Sequence, residues 1–128
     1  MKLLLDTHTF MWWDSQFDRI PSKTQAILQN PKHEIWISVV SLWEIQIKVQ
    51  LGKLTLRVPL QDLVIYQQQI NKIQLLPITL THIIELEKLP FYHRDPFDRL
   101  LIAQSRVESA HLVSRDAKIR VYDCQILW

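Results

Sequence analysis

The chain has 128 residues, 48% hydrophobic and 22% charged, which suits one folded domain with a buried core and excludes a disordered chain. Its net charge of +2 and pI near 8.8 permit a nucleic-acid partner without demanding one. A single glycine, Gly52, excludes P-loops and dinucleotide fingerprints, and a single cysteine, Cys124, excludes an internal disulfide and a thiolate zinc site.

The elements follow one another as strand and helix. Lys2 to Leu5 reads as a short buried strand stopped by Asp6; its apolar run is too brief for a signal peptide. Thr9 to Trp13 is a short helix, and Pro21 to Asn30 a second one with Pro21 in its first turn and Pro31 beyond its end. Glu34 to Ile37 is a strand by its branched and aromatic residues. Ser38 caps a helix from Val39 to Gln50, which Gly52 closes. Further helices are expected at Leu60 to Asn71, Thr81 to Leu89 and Phe97 to Glu108, with strands at Leu75 to Ile78, His111 to Ser114 and Gln125 to Leu127. This alternation predicts one α/β domain over residues 1–128, a mainly parallel sheet of four to five strands covered by helices on both faces. No stretch nears the roughly 18 apolar residues of a membrane span, so a cytoplasmic protein is expected.

In a parallel sheet the carboxyl ends of the strands share one edge, where ligands bind. Asp6 ends the first strand, Asp116 follows the fourth, Asp98 lies in the first turn of the helix before that strand, and Glu44 in the helix after the second. Each has a structural explanation by itself. Asp6 and Asp116 can cap the turns that follow them, Asp95, Pro96 and Asp98 fit an N-cap, first helical residue and capping-box acid, and Ser41 with Glu44 has capping-box spacing. Together they are harder to explain: two ionised carboxylates about 5 Å apart repel by about 3 kcal/mol at an effective dielectric of 20. A divalent cation resolves that repulsion, and an all-oxygen donor set favours Mg²⁺ or Mn²⁺. Such an ion can activate water and stabilise charge on a phosphate, which matches phosphodiester hydrolysis.

Four segments, LLLDTHTF (3–10), SLWEIQIK (41–48), DPFDRLLIAQ (95–104) and LVSRDAKI (112–119), stand in the order and spacing of a PIN domain and resemble the VapC-type toxins of toxin–antitoxin pairs over nearly the whole chain. The resemblance implies a PIN-like three-layer α/β/α sandwich and a Mg²⁺- or Mn²⁺-dependent endoribonuclease. It further implies a homodimer inhibited by a cognate antitoxin protein. It puts the metal-binding acids on Asp6, Glu44, Asp98 and Asp116, with Ser114 as a supporting hydroxyl where relatives carry threonine. Relatives often carry glycine in the segment Ser109–His111, a departure that bears on the turn. Asp95 is a supporting acid whose N-cap duty before Pro96 is the competing account.

Arg94, Arg99, Arg115 and Lys118 flank the acids and are candidate contacts for the RNA backbone, against the alternative of solvated surface charge; Lys48, Lys53 and Arg57 would extend that rim. His8 is a further candidate for a phosphate, with satisfaction of a local backbone group favoured. His33, His82, His93 and His111 lack ligand spacing, which speaks against zinc. Adjacent Trp12 and Trp13 cannot both face one core; an interface and base stacking are the rival roles, whereas Trp43 is read as core and Trp128 as either docked or loose. A haloacid-dehalogenase phosphatase needs a second acid two positions after the first, where His8 stands. A receiver domain needs an acceptor aspartate on a central strand, and none lies around Leu75 to Ile78. The alternative within the family is a PIN scaffold that binds RNA or protein without cutting, against which stands the presence of all four acids.

Overall fold

Leu3, Leu4 and Leu5 of the first strand (β1, Lys2–Leu5) are sealed from solvent, and the period of two along a strand sends them to opposite sides of the sheet. The computed structural model describes residues 1–128. Leu3 and Leu5 join Ile35, Ile37 and Val113 in one core, under Phe10, Leu28, Ile45 and Leu63. Leu4 joins Leu76 and Leu112 in a second core, under Leu101, Ile102 and Ile119. Strand register keeps these sets in phase, with Leu3 opposite Ile35, Leu4 opposite both Trp36 and Leu112, and Leu5 opposite Val113. A slip of one residue would exchange the two faces of a strand and break both cores.

The remaining strands are β2 (Glu34–Ser38), β3 (Gln74–Leu76), β4 (His111–Val113) and β5 (Ile126–Leu127). All pairings are parallel, in the order β3-β2-β1-β4-β5. The helices are α1 (Thr7–Ser15), α2 (Ser22–Gln29), α3 (Val39–Gln50), α4 (Leu60–Ile70), α5 (Leu80–Glu85) and α6 (Pro96–Val107), with short 3₁₀ turns at Phe17–Arg19 and Leu86–Lys88. The first core takes side chains from α1, α2 and α4, and the second from α6, while α3 contributes to both through Ile45 and Val40. The expected three-layer α/β/α sandwich is therefore present, with five strands. No helix is long and apolar enough to cross a membrane. The chain lays β1, β2 and β3 side by side, then returns to place β4 on the other flank of β1. That reversal opens a crevice at the carboxyl ends of β1 and β4.

Several boundaries differ from the sequence reading, for local reasons. Asp6 caps α1 directly, so the helix starts at Thr7 and runs on to Ser15. Pro21 is the residue before α2 rather than its first residue. The strand expected to reach Ile78 stops at Leu76, before Pro77, which has no N–H to give a sheet ladder. Trp43, expected in the core, is 59% exposed and meets only the edge of the Phe97 ring, at 5.2 Å, because α3 buries Val40, Ser41, Glu44 and Ile45 instead.

Two helices end in the same way. After α3, the N–H of Lys53 donates to Lys48 O (2.9 Å) and that of Gly52 to Val49 O (3.1 Å), with Gly52 at φ +71°. After α6, Ala110 N–H donates to Ser105 O (2.9 Å) and Ser109 N–H to Arg106 O (3.3 Å), with Ser109 at φ +53°. Both are Schellman closures, which favour glycine at the left-handed residue. The left-handed backbone costs a non-glycine residue about 1–2 kcal/mol, partly offset by the greater unfolded-state freedom of glycine. Ser109→Gly should therefore raise stability by about 0.5–1 kcal/mol in denaturant unfolding; a destabilised variant would refute this account of the turn.

Candidate metal centre

Asp6 is the first residue past β1. Its Oδ1 accepts the Thr9 N–H at 2.8 Å, and its own N–H donates to Val113 O at 3.1 Å, pinning the acid to the end of β4. Thr9 Oγ1 donates to the same carbonyl at 3.0 Å. Beyond β4, the Ser114 hydroxyl accepts the Asp116 N–H (3.1 Å) and hydrogen-bonds the Asp6 carboxyl, so one buried hydroxyl ties two of the acids together. Asp116 Oδ1 also accepts the Lys118 N–H at 2.9 Å, the turn-capping bond expected of it.

Glu44 reaches the crevice from the second turn of α3. Ser38 caps that helix through the Val40 N–H (3.1 Å), which frees Glu44 from capping-box duty. Its Oε1 accepts the Thr7 hydroxyl (2.7 Å) and its Oε2 the Lys48 ammonium (2.9 Å). Asp98 occupies the first turn of α6. Asp95 is the N-cap there, its Oδ1 accepting the N–H of Phe97 (2.8 Å) and of Asp98 (3.3 Å), with Pro96 as first helical residue.

His93 completes the group, although its spacing gave no hint of a ligand role. Its Nε2 lies 2.9 Å from Asp98 Oδ2 and 3.3 Å from Asp116 Oδ2. The Asp95 N–H donates to its Nδ1 at 3.2 Å, so the ring proton sits on Nε2 and is offered to the two carboxylates. The backbone of His93 is held in turn, its N–H donating to Tyr122 Oη at 2.8 Å while that hydroxyl donates to Pro90 O at 2.7 Å. A local sign does exist in the sequence: two residues before a cap such as Asp95, a side chain stays beside the helix start.

Ligand atoms of His93, Asp98 and Asp116 lie within 4.8 Å of one another, and Asp6 and Glu44 stand outside that tightest set. Two links connect Asp6 and Glu44 to that set. Asp6 and Asp116 line the same cavity, and the charges of both Glu44 and Asp6 act on Asp98. Burial, then the neighbouring Asp95, and further Glu44 and Asp6, push the Asp98 carboxyl up to about 7 against the opposing pull of His93. Burial likewise raises Asp6, against hydrogen bonds from Ser114 and Thr9. Carboxyls raised by burial, and at Asp98 by neighbouring acids as well, mark a site short of positive charge. With the one imidazole acting as a hydrogen-bond donor, the oxygens fit a hard divalent cation.

The cationic rim is only partly as expected. Arg94, Arg115 and Lys118 are exposed. Arg99 is buried and cannot meet a substrate: it donates to Pro90 O (2.8 Å), Leu89 O (3.3 Å) and Tyr122 Oη (3.3 Å), with its guanidinium 4.2 Å from the centre of the Phe91 ring. A helix position one residue past Asp98 turns it into the protein, not the crevice. Lys48 belongs to the site through Glu44, Lys53 is exposed, and Arg57 is engaged with Asp14 (2.9 Å). His8 is exposed and stacks on Trp12, with no bond to a local backbone group. A cavity of about 340 Å³ opens between Asp6, His8, Trp12, Arg115, Asp116 and Ala117. A larger one, about 620 Å³, borders His33, Glu34, Lys72 and Gln74 at the amino ends of β2 and β3, the edge of the sheet opposite the acids.

In fold the chain is similar to solved toxin–antitoxin proteins. It aligns with a chain of VapBC2 from Rickettsia felis bound to a promoter DNA fragment at TM-score 0.75 and 16% identity, covering 99% of this chain and 98% of the other. VapBC-1 from nontypeable Haemophilus influenzae gives 0.67 and 16% identity, with coverage of 99% and 97%. FitAcB from Neisseria gonorrhoeae gives 0.64 and 14%, with coverage of 98% and 96%. No curated protein matches the chain in sequence. The model of the PIN domain matches residues 3–123, so the chain belongs to the PIN domain family, whose members are nucleases that use divalent metal ions.

Proposed function

We propose that this protein is a Mg²⁺- or Mn²⁺-dependent endoribonuclease, the toxin of a toxin–antitoxin pair, with Asp6, Glu44, Asp98 and Asp116 holding the ion. One observation carries the reading: ligand atoms of His93, Asp98 and Asp116 converge within 4.8 Å at the switch point of the sheet, where burial and then Asp95, Glu44 and Asp6 push Asp98 up to about 7. A hard divalent ion bound there supplies the Lewis acidity that phosphodiester hydrolysis needs. The chain's own groups do the positioning. Thr7 and Lys48 orient Glu44, Ser114 holds Asp6 and Asp116 in one arrangement, and His93 holds Asp98 against Asp116. Arg94, Arg115 and Lys118 are exposed around the crevice and suit the phosphates of an RNA strand. Asp95 acts through its cap, fixing where α6 begins and so where Asp98 projects.

The toxin role, a cognate antitoxin partner, a homodimer and a cytoplasmic setting rest on the likeness to VapBC and FitAcB complexes and on the sequence motifs. In this reading residues 1–128 work as one nuclease domain.

Asp6→Asn is the most informative variant, because asparagine keeps the cap acceptor for Thr9 N–H while removing the charge. Its single-turnover cleavage of RNA in Mn²⁺ should fall at least about a hundredfold with unchanged folding; cleavage equal to wild type would remove the metal cluster from the mechanism. His93→Ala should weaken Mn²⁺ binding about 10–100-fold, read by calorimetry, since the two carboxylates lose their shared donor. Metal affinity at the wild-type level would leave His93 a purely structural residue.

Asp98 also makes a prediction about pH. As pH rises past about 4 the unfolded chain loses the Asp98 proton first, whereas the folded protein keeps it up to about 7. The folded state binds more protons across that window, so the contribution of this residue to stability is complete below pH 4 and lost as pH rises through 7. The melting temperature of metal-free wild type should therefore fall from pH 4 to 8 relative to Asp98→Asn, and Mn²⁺ at pH 8 should restore it. Parallel pH profiles for the two proteins would contradict the burial-driven shift.

A further inference from the structure

We propose that Trp12, His8 and Arg115 form a stacking subsite for one nucleobase of a single-stranded RNA, beside the phosphate held at the acids. This inference rests on the nuclease reading above. Trp12 gathers planar and cationic groups around its indole. The His8 ring lies nearly parallel to it, at 18° and 5.9 Å between centroids, and the guanidinium of Arg115 lies 4.7 Å from the ring centre. Arg19 is 5.8 Å away, and Trp128 packs at a tilt of 53° and 5.8 Å.

A purely structural role accounts for part of this. The contact with Trp128 belongs to the apolar packing beneath the sheet edge, and Trp12 is only half-buried. It does not account for His8 and Arg115, both exposed, being laid against the indole at the mouth of the acid crevice. The cavity they line is shared with Asp6 and Asp116, and its volume of about 340 Å³ is at the low end for small-ligand pockets. Flat π surfaces and guanidinium planes are the means by which proteins hold unstacked bases, and such contacts tolerate any base.

The charges select the occupant. A free cation would meet Arg115 and Arg19 already at the ring, and an acidic peptide would meet Asp6 and Asp116. A nucleotide suits both halves: its uncharged heterocycle fits the planar wall, and its phosphate suits a cation on the carboxylates. Because the wall reads a π face and not a hydrogen-bond pattern, this subsite favours unpaired RNA over duplex without imposing a sequence.

The test compares two short fluorescein-labelled strands of equal length and charge in Ca²⁺, one oligoribonucleotide of mixed sequence and one abasic ribose-phosphate strand. Wild type should bind the base-bearing strand about tenfold more tightly than the abasic one, and Trp12→Leu should lose most of that preference. His8→Ala, a change at an exposed residue, should reduce the preference about threefold and serves should Trp12→Leu fail to fold. A wild type without base preference overturns the subsite, as does full preference in Trp12→Leu or, if that variant does not fold, in His8→Ala. Cleavage of the same strand in Mn²⁺ tests the nuclease reading separately. Base-dependent binding without cleavage sinks that reading and keeps the subsite as an RNA contact, while normal cleavage with unaltered binding by the variants sinks the subsite alone.

Discussion

Like charges gathered in a poorly hydrated crevice are the constraint around which this molecule is arranged. Burial favours the protonated form of Asp6, and at Asp98 the neighbouring Asp95, Glu44 and Asp6 add to the same effect. What keeps the acids in place is a set of donors drawn from different parts of the chain. Backbone N–H groups hold Asp6 and Asp116, hydroxyls hold Asp6 and Glu44, an ammonium holds Glu44, and an imidazole holds Asp98 and Asp116. No single element owns the arrangement. The parallel sheet makes it possible, since only parallel strands bring successive carboxyl ends to one edge.

Much of this was legible in the sequence, and the reason is the shortness of the relevant distances. Three leucines ended by an aspartate, Asp95-Pro96 before a helix and Ser38 before another are local signals whose physics is complete within a few residues, and all three act as read. In the sequence, cap and ligand are rival roles for Asp6 and Asp116. Capping occupies one oxygen of each: Asp6 Oδ1 accepts from Thr9, and Asp116 Oδ1 accepts from Lys118 while its Oδ2 faces His93. A capping acid is already anchored, which makes it a well-oriented candidate ligand.

The misreadings share a cause, because each concerns which way a side chain turns once its helix has docked. Arg99 neighbours Asp98 in sequence yet points roughly 100° away around α6, into a cage of carbonyls. Trp43 neighbours Glu44 and is turned outward by the same rotation while Glu44 is buried. His93 has no zinc-ligand spacing in the sequence, because its ring serves here as a donor between two acids and not as part of a histidine ligand set. That role depends on the loop before α6 meeting the segment after β4, a long-range contact no window along the chain can display.

Tyr122 gives that long-range contact a further meaning. Its hydroxyl receives the His93 N–H and the Arg99 guanidinium and donates to Pro90 O, so it knots residues 90–99 to the segment after β4. The segment after β4 therefore supplies one wall of the crevice, and the loop before α6 is held in place only when that segment has docked. Docking of that segment and placement of the His93 ring between Asp98 and Asp116 are therefore one coupled event, so loosening Tyr122 would release three of the ligand-type side chains together.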